Sequence, residues 1–596
     1  MKTNLINNLI NRSCRLLSVF FVIILLSRLS FLNAQNLQWA YSFKNQLVLE
    51  NIDAISTNQT NRFAIIGSGN QGINMDPINA LKDYNSPGNF IAVYNENANI
   101  QWLKPTVGIA FCVKVVLDGS VFIAGIFSQS QDFDPSLDKS LILNASNGFS
   151  YLQKFNPDGT LAWVCQSAID GIPSEIEALN DGRIIVAGRS DVNSTITLNN
   201  TKTVSLDKGV FILEVSPSGT LSNAYGISVP AQASYMYVYD IATDASNNIY
   251  LSGSLDGIAD FDISNATNQN SATNAYDAYL VKYNSNFELQ WFKKFGDSSR
   301  PTGWDKATGI AIDKNLNIYL AGIFTSITDF DPSNPSKFVL TSSTNSTVPS
   351  SFIAKYSPDG TLNWVKKIGN TNDGIAKNYA SVSTINLRMQ NNQLYIALEG
   401  EGNWDIDPSA AESVLSVGGI AMPGIGFAKY TNEGTLIGGF SIDTVLVGSG
   451  ITAIGFDMLG ENSFVTAGVF TKLIDFNPLA EKLVLATDPK GMFYNFDKDL
   501  YIAKYSIGNT LNIDNKSNES ISFIGMYPNP CQDILNFKIQ PNTKIIKVQL
   551  YDSMGRLEVF DIDNNQSINV KHLQKGVYYV QLMFSDNSFA SMKLIK

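Results

Sequence analysis

The residues with the most to offer chemically are paired acids. They occur as Asp132-Phe133-Asp134-Pro135, Asp260-Phe261-Asp262, Asp329-Phe330-Asp331-Pro332 and Asp405-Ile406-Asp407-Pro408. In an extended segment, residues two apart point the same way, so each pair can present two carboxylates together. Two such groups could share a hard cation such as Ca²⁺. Calcium loops, however, usually supply more oxygen ligands and a glycine for the sharp turn. Here Pro follows, and the same pattern serves a repeated turn with Phe packed inward and Asp capping backbone amides. The turn reading is preferred. Asp132, Asp134, Asp260, Asp262, Asp329, Asp331, Asp405 and Asp407 stand as the candidate ligands should Ca²⁺ bind, and no other cofactor is expected.

Other chemistries are narrowed by composition. The single histidine is His572, near the C-terminus. A Ser-His-Asp triad or a histidine metal site in the main body is therefore excluded. No phosphate-binding glycine loop is present. Carboxylate chemistry of the kind that cleaves glycosides stays open, because Asp and Glu abound, but no spacing singles out a pair. Net charge is −11. An acidic body argues against nucleic acid or an anionic membrane as the main partner. The cysteines Cys14, Cys112, Cys165 and Cys531 form no disulfide framework, and Cys112 and Cys165 read as small core residues.

The elements that must position these acids are repeats. One landmark is an apolar strand ending near Gly, as in Phe63–Gly67, Val121–Gly125, Arg183–Gly188, Ile249–Gly253, Ile318–Gly322, Leu394–Gly400 and Phe464–Gly468. The other is an alternating strand, a turn and a further strand, as in SFIAKYSPDGTLNW ending at Trp364. Seven copies of each interleave strictly. Nearly continuous apolar strands expect cover on both faces. Pro358-Asp359-Gly360 is turn chemistry, with Pro fixing φ and Gly accepting positive φ. Four antiparallel strands per copy cannot bury both faces alone, and radial stacking buries them. The expectation is an all-β chain whose residues 35–512 form a seven-bladed β-propeller. Copy seven lacks its last strand, and Leu37–Phe43 matches Leu289–Phe295, so the segment after residue 34 is expected to close the ring.

Residues 1–34 read as a signal peptide, basic at first and then apolar from Leu16 to Leu26. That apolar run is too short for a permanent transmembrane helix. Residues 513–522 are polar and read as a linker. Residues 523–596 read as a small Ig-like antiparallel β-sandwich.

The matching residues NIYLAG, the DFDP-type insert and AKYSPDGTLNWVKKIG resemble the bacterial secreted propeller repeats called SBBP repeats. That resemblance implies the propeller and almost no shared activity. The turn at Ser357–Thr361 is similar to the sialidase Asp-box but lacks a residue between Asp and Gly. The Gly-Thr-Leu-x-Trp ending is similar to quinoprotein propellers, without a cofactor site. The tail resembles the type A C-terminal sorting domain of the type IX secretion system of Bacteroidetes. It matches at Tyr527, Pro528, Asn529 and Pro530, at Val548–Arg556 with Gly555, at Leu573–Val580 with Gly576, and at the terminal Lys593. The resemblance implies export across both membranes, the type IX machinery as partner, and usually removal of the tail. The chain is thus expected to be a secreted or cell-surface binding or adhesion scaffold, with a glycan or protein as ligand. The alternatives are an extracellular carboxylate-dependent glycan-acting enzyme and a structural surface-layer component. Function is expected where the copies differ, notably in copy three, which lacks the acidic insert, and in copy six over Arg388–Trp404.

Overall fold

All described regular elements are β-strands. The computed structural model describes residues 35–596 apart from 44–50, 69–72, 79–87, 137, 199–201, 230–234, 265–268, 272–275, 297–303, 332–337, 343–347, 371–381, 410–412, 418–422, 445–448, 478–482, 488–497, 508–522, 529, 540–543, 553–556, 561–566 and 585–588. The segments read as signal peptide (residues 1–34) and linker (residues 513–522), with Asn529 and Gly555, lie outside the described residues, as does the side chain of Lys593. The chain divides into two compact units, the larger holding the repeats and the smaller the C-terminal strands.

Copy five shows how a repeat folds. Lys306–Ile312, Ile318–Phe324, Ser350–Tyr356 and Leu362–Asn370 pair in chain order, each antiparallel to the last. The first turn is set by Asp313, whose Oδ1 accepts the N–H groups of Asn315 and Asn317 at 2.8 Å. The second and third strands are buried at every residue, as their apolar sequences require. Seven such four-stranded sheets occur among the described residues, two of them extended by a short hairpin.

The first strands of the sheets pack against one another in succession, and that of the last sheet, Gly450–Met458, lies against that of the first, Asn51–Thr57. The cycle is closed by Gln35–Phe43, which adds to Lys498–Ile507 as the fourth strand of the last sheet. Register pairs include Ala40 with Ala503 and Phe43 with Leu500. The segment expected to close the ring therefore does so.

Neighbouring sheets are joined by the repeated residues themselves. Trp102 packs on Gly159 of the next copy's turn, Trp163 on Gly219, Trp291 on Gly360 and Trp364 on Gly434. A Cβ at Gly360 would sit 2.9 Å from the Trp291 indole, so this glycine is required by a close approach as well as by its φ of +81°. Trp102 and Trp291 also donate their indole N–H to Pro157 O and Pro358 O, both at 3.1 Å. Trp39, on the closing strand, donates to Glu96 O in the first copy's turn at 3.2 Å.

In the smaller unit, Phe523–Tyr527, Ile534–Ile539 and Ser567–Asn569 form one antiparallel sheet. Leu557–Phe560, Ile545–Asp552, Val577–Phe584 and Phe589–Ile595 form a second. Leu535 and Phe537 from the first share one core with Val548, Leu550, Val580 and Leu594 from the second. Gly576 exchanges backbone hydrogen bonds with Lys596 at 3.1 and 2.9 Å. Its sequence position suggests a bend that needs glycine. In the structure its φ lies outside the left-handed region, and an added Cβ would meet only Tyr578, at 3.8 Å.

Candidate functional site

The paired acids form corners between copies. Phe133, Phe261, Phe330 and Ile406, between the two acids, are buried. The first acid caps the turn: Oδ1 of Asp132, Asp260, Asp329 and Asp405 accepts the N–H of the second acid at 3.0–3.1 Å. Asp132 and Asp405 also accept N–H groups from the returning chain, Leu141 at 2.7 Å and Ser413 at 2.9 Å. Asp134, Asp262 and Asp407 accept the N–H two residues on, from Ser136, Ser264 and Ser409. Hydrogen bonds hold two of these carboxyls below the usual carboxylate range: Asp132 chiefly through the Ser140 side chain and then the Leu141 and Asp134 N–H groups, and Asp134 chiefly through Ser136. Among the described residues, no group of three or more His, Cys, Asp or Glu is arranged to hold a metal ion.

The corners also reach neighbouring copies. Asp260 is paired with Ser228, Asp329 with Gly296, Asp405 with Gly369 and Asp475 with Asp443, each partner lying at or just beyond the last strand of the preceding copy. The carbonyl inside the corner accepts a buried hydroxyl from the third strand. Tyr283 donates to Phe261 O, Tyr430 to Ile406 O and Tyr505 to Phe476 O, each at 2.8 Å. In copy two Phe155 takes the tyrosine position, and Gln153 donates to Phe133 O at 2.9 Å instead. Both acids of a corner thus have local structural tasks.

A second set of charges lines the centre of the cycle. A cavity of about 920 Å³ is bounded by residues from all seven first strands. Each first strand carries a bulge at the same place. Just past the bulge come Glu175, Asp240 and Asn386, in register with Ala187, Ser252 and Ala397. Two residues on, and so on the same face, come Ser56, Lys114, Glu177, Ala242, Ala311, Arg388 and Asp457.

Most of these groups are matched. Lys114 Nζ lies 2.5 Å from Glu177 Oε2. Arg388 Nε donates to Asp457 Oδ1 at 3.1 Å, and its Nη1 lies 3.7 Å from Asp240 Oδ2. Side chains also cross to the next sheet's backbone. Asp240 Oδ2 accepts the N–H of Ile310 at 2.9 Å, Asp457 Oδ2 that of Thr57 at 2.9 Å, and Ser56 Oγ that of Val115 at 3.1 Å.

Glu175 is different. Among the described residues it makes no hydrogen bond and no ion pair. Burial, followed by the nearby Asp240 charge, pushes its carboxyl up to about 8, against the pull of Arg388 and Lys114. Burial raises Asp240 to about 6, with Arg388 opposing. The Arg388 guanidinium is held above its ordinary value because Asp457, Asp240 and Glu175 together outweigh its burial. Near neutral pH burial therefore favours the protonated form of Glu175, beside the ion-paired Glu177 and Asp457. Such a set can donate and accept hydrogen bonds to a polar ligand, or supply an acid and a base.

Sequence reasoning pointed to Arg388 only as the start of the most divergent copy, and missed Glu175, Glu177, Asp240 and Asp457. The usable signal is the register: each occupies a fixed place relative to the residue before the strand glycine.

Among the described residues, no helix is long and apolar enough to cross a membrane. No curated protein matches the chain. Three solved structures are similar at low scores. A Bacteroides caccae protein of unknown function is 8% identical, with 54% of this chain and 83% of that one covered and a TM-score of 0.25. A luciferin-regenerating enzyme is 9% identical, with 65% and 87% covered and a TM-score of 0.26. The extracellular domain of a hybrid two-component system from B. thetaiotaomicron is 12% identical, with 93% and 86% covered and a TM-score of 0.16. Scores this low carry no argument about activity. Residues 525–596 match the family model of the secretion system C-terminal sorting domain. This tail indicates export by the type IX secretion system, to the cell surface or into the medium.

Proposed function

We propose that this chain is a seven-bladed β-propeller of secreted SBBP-type repeats that works outside the cell as a binding or adhesion scaffold. Its small Ig-like C-terminal sandwich serves export by docking to the type IX machinery. The observation that carries this reading is where the repeated residues are spent. The corner acids, the turn glycines and the tryptophans all join one copy to the next. A rigid ring of that kind leaves its non-repeated surface for a glycan or protein ligand. In this reading the corner acids work without a cation, because their oxygens already cap backbone N–H groups.

The test is a glycan-binding array run beside a turnover screen on polysaccharides, both with the full chain. Binding without turnover is the expected result, and turnover refutes the scaffold. Truncation after Asn512 is expected to leave the ring folded and retained in the periplasm. Normal surface delivery of the truncated chain would remove the export role of the tail.

One observation favours the enzymatic alternative, a carboxylate-dependent glycan-acting enzyme. Glu175, raised to about 8 by burial, shares the cavity with Glu177, a second carboxyl that is paired with Lys114; two carboxyls in unlike surroundings are what glycoside cleavage uses. That alternative expects Glu175→Gln to abolish any turnover found.

A further inference from the structure

The ring carries a row of aromatic side chains that no repeat motif requires. Tyr237 and Tyr239 belong to the first strand of copy four, Tyr235–Thr243. Tyr276 directly precedes the third strand of that sheet, and Trp304 lies just before the first strand of copy five. Ring centroids run in an unbroken sequence: Trp304 to Tyr276 at 5.9 Å, Tyr276 to Tyr237 at 6.0 Å, and Tyr237 to Tyr239 at 6.0 Å. Trp304 is 55% exposed, and the three tyrosines are partly exposed. At the register position of Tyr237 the other copies place Asn51, Ile109, Ile172, Lys306, Ser383 and Thr452. The row is therefore a departure from the repeat and not part of its fastening.

Two cations attend the row. The Arg189 guanidinium lies 4.6 Å from the Tyr237 centroid and is neutralised by Asp191 at 2.8 Å. Lys306 Nζ lies 5.3 Å from the Trp304 centroid and 5.8 Å from that of Tyr239. Among the described residues, the Lys306 ammonium has no ion pair and no hydrogen bond. An ammonium held against two rings, with no anion of its own, is ready to meet one from a ligand.

We propose that this row binds an acidic polysaccharide, a chain of uronic acid units. The sugar rings would stack on Trp304, Tyr276 and Tyr237, and a carboxylate would meet Lys306. The proposal rests on the scaffold reading above and names its ligand. Tyr and Trp offer large, rigid contact faces at low entropic cost, with a polar edge that tolerates water. The Tyr237 and Tyr239 planes are parallel within 1°, while Tyr276 is tilted by 51° to both Tyr237 and Trp304, so the row offers successive faces at changing angles. These suit a repeating ligand whose units turn along the chain, and the lone ammonium makes the acidic form the better fit. The chain is delivered to where such polymers are met, at or beyond the cell surface.

The experiment is titration calorimetry of the full chain with an oligogalacturonate, beside a neutral cello-oligosaccharide of equal length and poly-glutamate. The oligogalacturonate is expected to bind best. Trp304→Ala should weaken it about tenfold or more, as removal of an exposed aromatic anchor does. Lys306→Gln should weaken it severalfold and remove much of its salt dependence, with the melting temperature unchanged. The proposal is overturned if the oligogalacturonate does not bind, if Trp304→Ala binds it as well as the unaltered chain, or if the neutral sugar or poly-glutamate is preferred. An array ligand that binds equally to Trp304→Ala sinks the row and leaves the scaffold standing. Cleavage of any polysaccharide sinks the scaffold itself.

Discussion

Two populations of carboxylates in this ring stand in opposite surroundings, one capping turns between copies and one buried around a central cavity. The corner acids recur from copy to copy and cap backbone N–H groups, and in copy two hydrogen bonds, led by those from Ser140 and Ser136, hold Asp132 and Asp134 below the usual carboxylate range. The acids of the central cavity occur once each, in copies three, four and seven, and burial pushes Glu175 and Asp240 up. Repetition marks residues that every copy needs to join its neighbour. A group that only one copy carries cannot be explained by a need common to all, and it is there that binding or chemistry should be sought.

The largest effect that would break this contrast comes from the joint itself. Deleting residues 35–44 removes the fourth strand of the last sheet and the Trp39 contact to Glu96. A fall in melting temperature of roughly 10 °C or more is expected. An unchanged value would mean the cycle does not depend on this strand. Gly360→Val combines a positive φ with a clash against Trp291 and should cost about 3 kcal/mol by denaturant unfolding. Its counterpart in the tail, Gly576→Ala, has open space and should cost under about 0.5 kcal/mol.

The cavity acids make a prediction in pH. Glu175 holds its proton to about 8 in the folded chain, whereas the unfolded chain releases it near the ordinary value of 4.5. The unfolded state binds fewer protons between these limits, so stability should fall as pH rises through that window. Asp240 acts in the same direction between 3.8 and about 6. Glu175→Gln should flatten the fall above pH 6, melt above the unaltered chain at pH 8 and match it at pH 4. A variant with the unaltered slope would place the proton elsewhere.

The smallest effect belongs to the corners. Asp329→Asn weakens one capping acceptor and should cost about 1 kcal/mol or less. Ca²⁺ added to chelator-treated chain should give no heat and no shift in melting. A saturable heat would assign the corner acids to a cation after all.

The repeats made much of the fold legible. The apolar strand ending at glycine and the Pro-Asp-Gly turn located the strands of copy five, and the Leu37-Gln38-Trp39 match located the closing strand. The role of the turn glycine was only half legible, because the indole that crowds it comes from the preceding copy. The cavity was not legible. Lys114, Glu177, Arg388 and Asp457 differ in type and share only a register fixed by a bulge, which leaves no trace in composition. The aromatic row was hidden for a related reason: Tyr237, Tyr276 and Trp304 are far apart in the chain and meet only where two sheets adjoin. The bend at Gly576 before the last hairpin was legible, but the room around its Cα was not, since an added Cβ would meet only Tyr578 at 3.8 Å.

The central claim, that repeated residues hold the ring and departures from the repeat bind the ligand, is tested most directly by one paired measurement. Asp329→Ala and Trp304→Ala are compared for melting temperature and for oligogalacturonate affinity. The account predicts that Asp329→Ala lowers the melting temperature with affinity unchanged, and that Trp304→Ala lowers affinity about tenfold with the melting temperature unchanged. Loss of affinity in Asp329→Ala, with Trp304→Ala binding as before, would contradict it.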